Sequence, residues 1–578
     1  MGHHHPHDHD DAPGHPHPHG HPHGHPHGHP HEVDETTAAA VDTSVPDAEL
    51  SPTQLSRRNL LRAAGVVGSA AAVGVGGASG AVPAAAATAP GRPTPPARVT
   101  GWLAGDHHIH THYSADAIYT VADQAQHAKA YGLDWIVITD HGGATHARIG
   151  VDVVNPDIRR ARAETDLLVF QGLEWNIPSA EHGTVFVAPG DNEVAVLKEF
   201  ETEYDGSVRG STAATEALAV AGVQYLGAQV DSRRIDDALF LANHPARQGI
   251  DSPHEIRNWR DADPRIAVGM EGAPGHQAAG LPYGAASGRG FYTNAGTRAD
   301  RFLPYPPESY RTWGGFDWMT ATVGGLWDSL LAEGKPWWIS ANSDSHFNFA
   351  ATAQRGPGSD FNANGRYDDP VYLGDIDLTA GDYWPGQYSR TVVGTTGGDY
   401  LDVMAGLRAG RVWVDHGRLV RGVEVVVRRR GGGGPEYPLG SVATVNSRVR
   451  LEVVVRVQLQ DLPNWAQFTP QLNRVDLIRG TVTGAVADRD TFVAPDTRVV
   501  RQWDTSGRTG VVELVEPLPL PEEPFYLRVR GTDGNFGQPG FLGAAVDPAG
   551  PRLDVVGDAD PWEDLWFYTN PIWVLPAR

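Results

Sequence analysis

The stretch Gly105-Asp-His-His-Ile-His-Thr-His-Tyr-Ser-Ala-Asp116, GDHHIHTHYSAD, decides how the rest of the chain is read. His108 and His110 stand two apart with Ile109 between them. On a β-strand such residues share one face, so both imidazoles project into one pocket. A lone His-x-His is weak evidence. It gains weight because four later apolar runs also end in residues of metal-ligating type.

Outward from that stretch, Thr120 caps a predicted helix through about Tyr131, which Gly132 stops. LDWIVIT (133–139) leads into Asp140-His141, and a helix-compatible segment follows near 157–165. LLVFQGL (167–173) leads into Glu174, and His182 opens the short run HGTVFVA. ALFLA (238–242) leads into Asn243-His244-Pro245, and PWWISA (336–341) into Asn342-Ser343-Asp344-Ser345-His346. Continuous apolar runs separated by helices indicate a parallel sheet buried on both faces. Closed into a barrel, such a sheet brings its C-terminal strand ends to one mouth. Asp140, His141, Glu174, His244, Asp344 and His346 converge there, and a divalent-metal centre with oxygen and nitrogen ligands is the expectation. Glu271, after RIAVGM, is a candidate further residue at the mouth.

In their order these motifs resemble the PHP (polymerase and histidinol phosphatase) domain. They read His108-Ile109-His110 with Ser114, Thr139-Asp140-His141, Gly172-Leu173-Glu174, His182, His244 and Ser343-Asp344-Ser345-His346. The resemblance covers about residues 100–420. It implies an α/β fold, a distorted (β/α)7 barrel, holding two or three divalent ions (Zn, Mn or Fe). One ion falls to His108, His110, Glu174 and Asp344, a second to Asp116, His141 and His346, and a third to Glu174, His182 and His244. Glu174, Asp344 and His244 are the catalytic residues the resemblance implies, for a reaction in which a hydroxide bridging two ions attacks an ester. Two departures stand out: Ala115 separates Ser114 from Asp116, and His182 follows Glu174 by only eight residues, so it is either a ligand or a residue behind one. His107 and His112 are not assigned as ligands. Arg247 and His276 are candidate substrate contacts.

The resemblance extends to the CehA/McbA (carbaryl hydrolase) group, in which a β-rich module follows the barrel. Leu401–Gly410 and Arg411–Val414 look like the last helix and strand of that barrel. The expected activity is phosphoester hydrolysis; carboxyl-ester, amide or carbamate hydrolysis is the alternative, and a non-catalytic metal-binding surface protein a third reading. The substrate is expected to be a small, anionic ester.

The 578 residues suggest two folded domains with tails. With no cysteine, disulfides and thiolate metal sites are excluded. A net charge of −24 argues against nucleic acid as the main partner. Residues 1–55 form a tail and linker whose first 31 residues carry 14 of the 27 histidines in HPHG-like repeats. Residues 56–87 read as a twin-arginine signal. Arg57-Arg58 precedes Leu60-Leu61, then a soft Ala/Gly/Val run and small residues suited to a signal peptidase. The expectations are export by the twin-arginine machinery to a periplasmic, cell-wall or extracellular location, with no membrane span after processing. The processed chain keeps 43 basic and 61 acidic side chains, a net −18.

The segment 272–315, rich in Gly, Tyr, Phe and Pro, reads as a long loop over the mouth. Asp360–Asp369 imitates a calcium loop but has Val371 where the bidentate glutamate belongs, so a polar turn is expected. Residues 421–578 alternate as antiparallel strands of a β-sandwich, with 428–434 (RRRGGGG) as an exposed turn.

Overall fold

The computed structural model describes residues 99–577 apart from 276–299, 307–308, 310–311, 314, 358–359, 378–379, 466–468 and 535–563. The histidine-rich tract, the linker, the twin-arginine leader, His276 and most of the long loop lie outside the described residues. No described helix is long and apolar enough to cross a membrane.

The chain enters the fold through β1 (Gly101–Asp106). Gly105 must be glycine because a Cβ there would lie 2.1 Å from the buried Trp135 ring. Helix α1 (Val121–Ala130) follows. Thr120 caps it by accepting from the Asp123 amide, and Asp123 returns the bond. Gly132, at φ +69°, ends it and turns the chain into β2 (Trp135–Ile138), every residue of which is buried. After α2 (Asn155–Glu164) come β3 (Leu168–Asn176) and β4 (His182–Val187). Then follow α3 (Glu193–Tyr204), α4 (Glu216–Asp231) and β5 (Ala238–Ala242). Helix α5 (Pro253–Ala262), β6 (Ala267–Pro274), α6 (Leu326–Ala332) and β7 (Trp338–Asn342) complete the series.

Strands β1, β2 and β3 are parallel neighbours, as are β5, β6 and β7. Between the two sets, β4 runs antiparallel to both β3 and β5. The parallel sheet expected from the apolar runs is present, and β4 alone of these seven strands departs from it. The β3–β4 connection is a tight turn in which Ile177 N donates to Glu181 O at 3.0 Å, too short for the crossover that parallel pairing needs. Beyond the ends of β1 and β7, Ile109 bridges Ser345, and Asp344 N donates to His108 O at 2.9 Å. These contacts join the first and last strands at the mouth, giving a mixed α/β barrel.

On its other side β1 pairs antiparallel with β8 (Ser389–Thr395), and β8 with β9 (Val412–His416), across helix α7 (Tyr400–Arg408). The sheet then continues into the C-terminal strands, because β9 pairs with Trp566–Thr569, which in turn pairs with Phe525–Thr532. A separate sheet carries Val420–Arg429, Leu451–Leu459 and Val511–Pro517. Val425, Val427, Val453, Val455 and Leu514 of that sheet share one core with Leu477, Leu527, Val529 and Phe567 of the first. The two sheets therefore pack face to face as an antiparallel module. Arg428 is a correction: it lies within a strand and pairs with Glu452 at 2.9 Å, so the exposed turn begins after Arg429.

Candidate metal centre

Six strand ends and their following loops bring the site together at the mouth. His108 and His110 follow β1, Asp116 the next loop, and His141 the end of β2. Glu174 lies within β3, His182 opens β4, His244 follows β5, and Asp344 and His346 follow β7. All but Asp116 and His346 are buried. His244 (φ +28°) and Asp344 (φ +50°) adopt left-handed backbone that non-glycine residues rarely take, a local strain typical of functional sites.

Glu174 is the hub. Its Oε1 lies 3.0 Å from His108 Nε2, 3.2 Å from His182 Nδ1 and 3.1 Å from His244 Nε2. Its Oε2 lies 2.8 Å from His141 Nδ1 and 3.4 Å from His110 Nε2. The strand places it there because Gly172, two residues earlier, lets β4 approach; a Cβ at Gly172 would meet the Val185 carbonyl at 2.5 Å. Asp344 Oδ1 adds contacts of 3.0 Å to His108 Nε2 and 3.3 Å to His110 Nε2. Asp116 Oδ2 meets His141 Nε2 at 3.0 Å and His346 Nε2 at 3.7 Å, so the Ala115 insertion leaves Asp116 facing the cluster. The His110 and His346 rings stack with centroids 3.9 Å apart.

Among the described residues, four groups have ligand atoms close enough to hold a cation: His110, Asp116, His141 and His346; His108, His110 and Glu174; His108, His244 and Asp344; and His141, Glu174 and His182. The partition differs from the one the resemblance implies. His110 also joins the Asp116 group, and His244 groups with His108 and Asp344. The strand-end residues thus surround one shared space and do not divide into three private sets.

The electrostatics fit a cation. Burial raises the energy of a charged Glu174, yet His182, His108 and His141 outweigh it and hold the carboxyl well below the usual range. Burial opposes protonation of His108, but Asp344, Glu174 and Glu271 prevail and raise it well above the ordinary imidazole value. The carboxylates therefore demand positive charge at their centre, and imidazole nitrogens with carboxylate oxygens are a donor set that divalent ions accept. His244 goes the other way, pushed down to about 4 by burial and then by Arg247.

Around this core stand residues the sequence marked weakly or not at all. Glu271 lies behind His108, 3.2 Å from its Nδ1, and accepts from His244 N at 3.0 Å. Asn243 Nδ2 donates to Glu174 Oε1 at 3.0 Å. Asp382 accepts from His346 N at 2.8 Å. Asp140, expected at the mouth, is instead a buried brace accepting from Thr111 N at 2.7 Å and Ser114 Oγ at 3.0 Å. His107 is likewise structural, its ring between Thr184 and Ser340 hydroxyls. Arg247, a predicted substrate contact, holds Glu181 at 3.0 Å beside the cluster. Asp360 caps a single helical turn by accepting from Ala363 N, in keeping with a polar turn. Asn243 and Glu181 adjoin ligand-type residues in sequence and could have been suspected on that ground.

Residues 106–244 match the PHP domain model. This stretch is a PHP domain. It contains every candidate ligand from His108 to His244, while Asp344 and His346 lie downstream and reach the same space through β7. No curated protein matches the chain. Among solved structures, a two-domain protein from Bacteroides vulgatus ATCC 8482, described as containing a predicted PHP-like metal-dependent phosphoesterase, is similar at 14% identity. The likeness covers 74% of this chain and 100% of that one, with a TM-score of 0.30.

Proposed function

We propose that the chain is a metal-dependent hydrolase of phosphoesters. The observation that carries this reading is the convergence of five imidazoles, His108, His110, His141, His182 and His244, on the two oxygens of Glu174. Structural metal sites close their coordination within protein, whereas a mouth ringed by overlapping donor groups suits catalysis.

His108, His110, Asp116, His141, Glu174, His182, His244, Asp344 and His346 would hold two or three divalent ions. Such ions supply Lewis acidity, activating water for attack and neutralising charge that develops on an ester. The chain's own residues prepare for this. Asn243 fixes one oxygen of Glu174, and the Glu271 and Asp382 carboxylates hold the backbone beside His244 and His346. Arg247, close enough to Glu174 and Asp344 to feel both charges, offers a cation at the rim for an anionic substrate. That cation favours a phosphoester over a neutral carboxyl ester or carbamate, the alternative bond for the same metals.

The twin-arginine pair Arg57-Arg58 supports a further reading, that the protein is exported already folded, with its metals loaded beforehand. Purified protein supplied with Mn²⁺ or Zn²⁺ should hydrolyse p-nitrophenyl phosphate or its diester. Cleavage of aryl acetates and carbamates with phosphates left intact would overturn the phosphoester assignment.

A further inference from the structure

We propose that Glu271 and Asp382, which belong to none of the four ligand groups, are positioning carboxylates for His108 and His346. Each fixes which nitrogen of its imidazole faces the shared space. The inference rests on reading the cluster as a metal centre.

The His108 ring is held from both sides. Its Nε2 faces Glu174 Oε1 and Asp344 Oδ1, each at 3.0 Å. Its Nδ1 faces Glu271, at 3.2 Å from Oε1 and 3.3 Å from Oε2. An ionised carboxylate only accepts, so Glu271 keeps the hydrogen on Nδ1, and Nε2, facing inward, is the nitrogen that gives up its proton when a cation binds. The same carboxylate accepts from His244 N at 3.0 Å and from Asn342 Nδ2 at 3.0 Å. Glu271 thereby ties β1, β5 and β7 together behind the ligands, and it holds the amide of the left-handed His244.

A glutamine cannot reproduce this. With its oxygen toward His108 and Asn342, its amide nitrogen would face the His244 N–H, donor against donor. Reversed, the amide nitrogen would face His108 Nδ1 and turn the ring's hydrogen toward the ligand side. Either orientation disturbs a candidate ligand.

Asp382 repeats the device on the far side of the cluster. Its Oδ2 accepts from His346 N at 2.8 Å and Phe347 N at 3.1 Å, and lies 3.4 Å from His346 Nδ1. The Asp344 carbonyl, 3.0 Å from the same Nδ1, is also an acceptor. The hydrogen therefore sits on Nδ1, and Nε2 is left for the Asp116 side. Because His108 and His346 fall in different ligand groups, the two carboxylates should control different ions.

The test uses the full chain, stripped with a chelator, and Glu271→Gln, Glu271→Asp and Asp382→Asn variants. Zn²⁺ affinity is measured by competition with a chromophoric chelator, Co²⁺ binding by visible absorption, and stability by thermal unfolding in EDTA. Glu271→Gln and Asp382→Asn should each weaken part of the Zn²⁺ binding by about 10–100-fold and alter different Co²⁺ bands, with Glu271→Asp recovering part of the loss. Unfolding in EDTA should move little by comparison. Affinities within twofold of wild type would overturn this inference alone. A wild-type chain that binds no Zn²⁺ would overturn the metal-centre reading and this one with it. If Glu271→Gln fails to fold, Asp382→Asn, on a residue whose side chain still reaches solvent (15% exposed), decides the matter.

Discussion

Asp116 Oδ2 lies 3.0 Å from His141 Nε2 although Ala115 separates it from the serine of its motif. The extra residue is absorbed locally. Ser114 Oγ accepts from His141 N at 2.9 Å and holds the loop against the end of β2, so Asp116 still turns inward. Asp116→Asn should therefore weaken ion binding at the His110, His141 and His346 group while His108-centred binding persists. Metal stoichiometry after gel filtration checks this, and an unchanged ion count would remove Asp116 from the site.

His108 and Asp344 meet at 3.0 Å and serve overlapping groups. Replacing either with alanine should cost more than the 10–100-fold in affinity expected for an outer positioning residue, and ions and turnover should fall together. Full turnover in either variant would sink the site assignment.

Arg247 is paired with Glu181 at 3.0 Å at the rim. Arg247→Lys keeps charge but loses the forked donor geometry. Loss of one charge-assisted bond of about 1.5–3 kcal/mol lowers kcat/KM for phosphate monoesters about 10–100-fold. A neutral aryl ester should show no such loss. Equal losses on both substrates would mean that Arg247 acts only as a support for Glu181.

Gly172 stands where β3 and β4 come closest. Gly172→Ala places a Cβ 2.5 Å from the Val185 carbonyl, and backbone cannot give way as a side chain can. The expected cost is about 1–3 kcal/mol in urea unfolding, with weaker ion binding because Glu174 shifts. A variant as stable as wild type would show that the strands can part without consequence.

Asp205 supplies a pH signature from behind the ligands, beside Gly142 and Asn176. Its buried carboxyl accepts from Asn176 N at 2.9 Å and Ser207 N at 2.8 Å, yet burial and the neighbouring Glu201 push it up to about 7. A carboxyl raised in the folded state favours folding most when protonated, below its ordinary value of 3.8, and that contribution is lost as pH rises through 7. At ~1.4 kcal/mol for each tenfold change in proton affinity, the window spans about 4 kcal/mol. The unfolding free energy of wild type minus that of Asp205→Asn should fall by that order between pH 4 and 7. A difference independent of pH would refute the assignment.

Much of this site could be read from the chain because its ligands sit at strand ends, where apolar runs stop and polar residues begin. His108, His141, His244 and Asp344 all carry that signature. Strand direction was hidden, since an apolar run such as HGTVFVA does not record which way it lies; only the tight turn at 177–181 reveals that β4 is antiparallel. In the sequence Glu271 reads merely as a mouth residue, because its task depends on three partners from distant strands. Asp382 left no trace at all, because it returns to His346 only after the hairpin formed by Ala351–Gln354 and Val371–Asp377.

The pairing of β9 with Trp566–Thr569 bears on the order of events during synthesis. The strand that covers the edge of β9 emerges from the ribosome long after the barrel segments themselves. Until then Val412–His416 presents an open row of backbone donors and acceptors, a template for pairing with another chain. Truncation after residue 420 should accordingly yield an aggregating fragment. A nascent barrel must wait for its far end before it is safe from its neighbours.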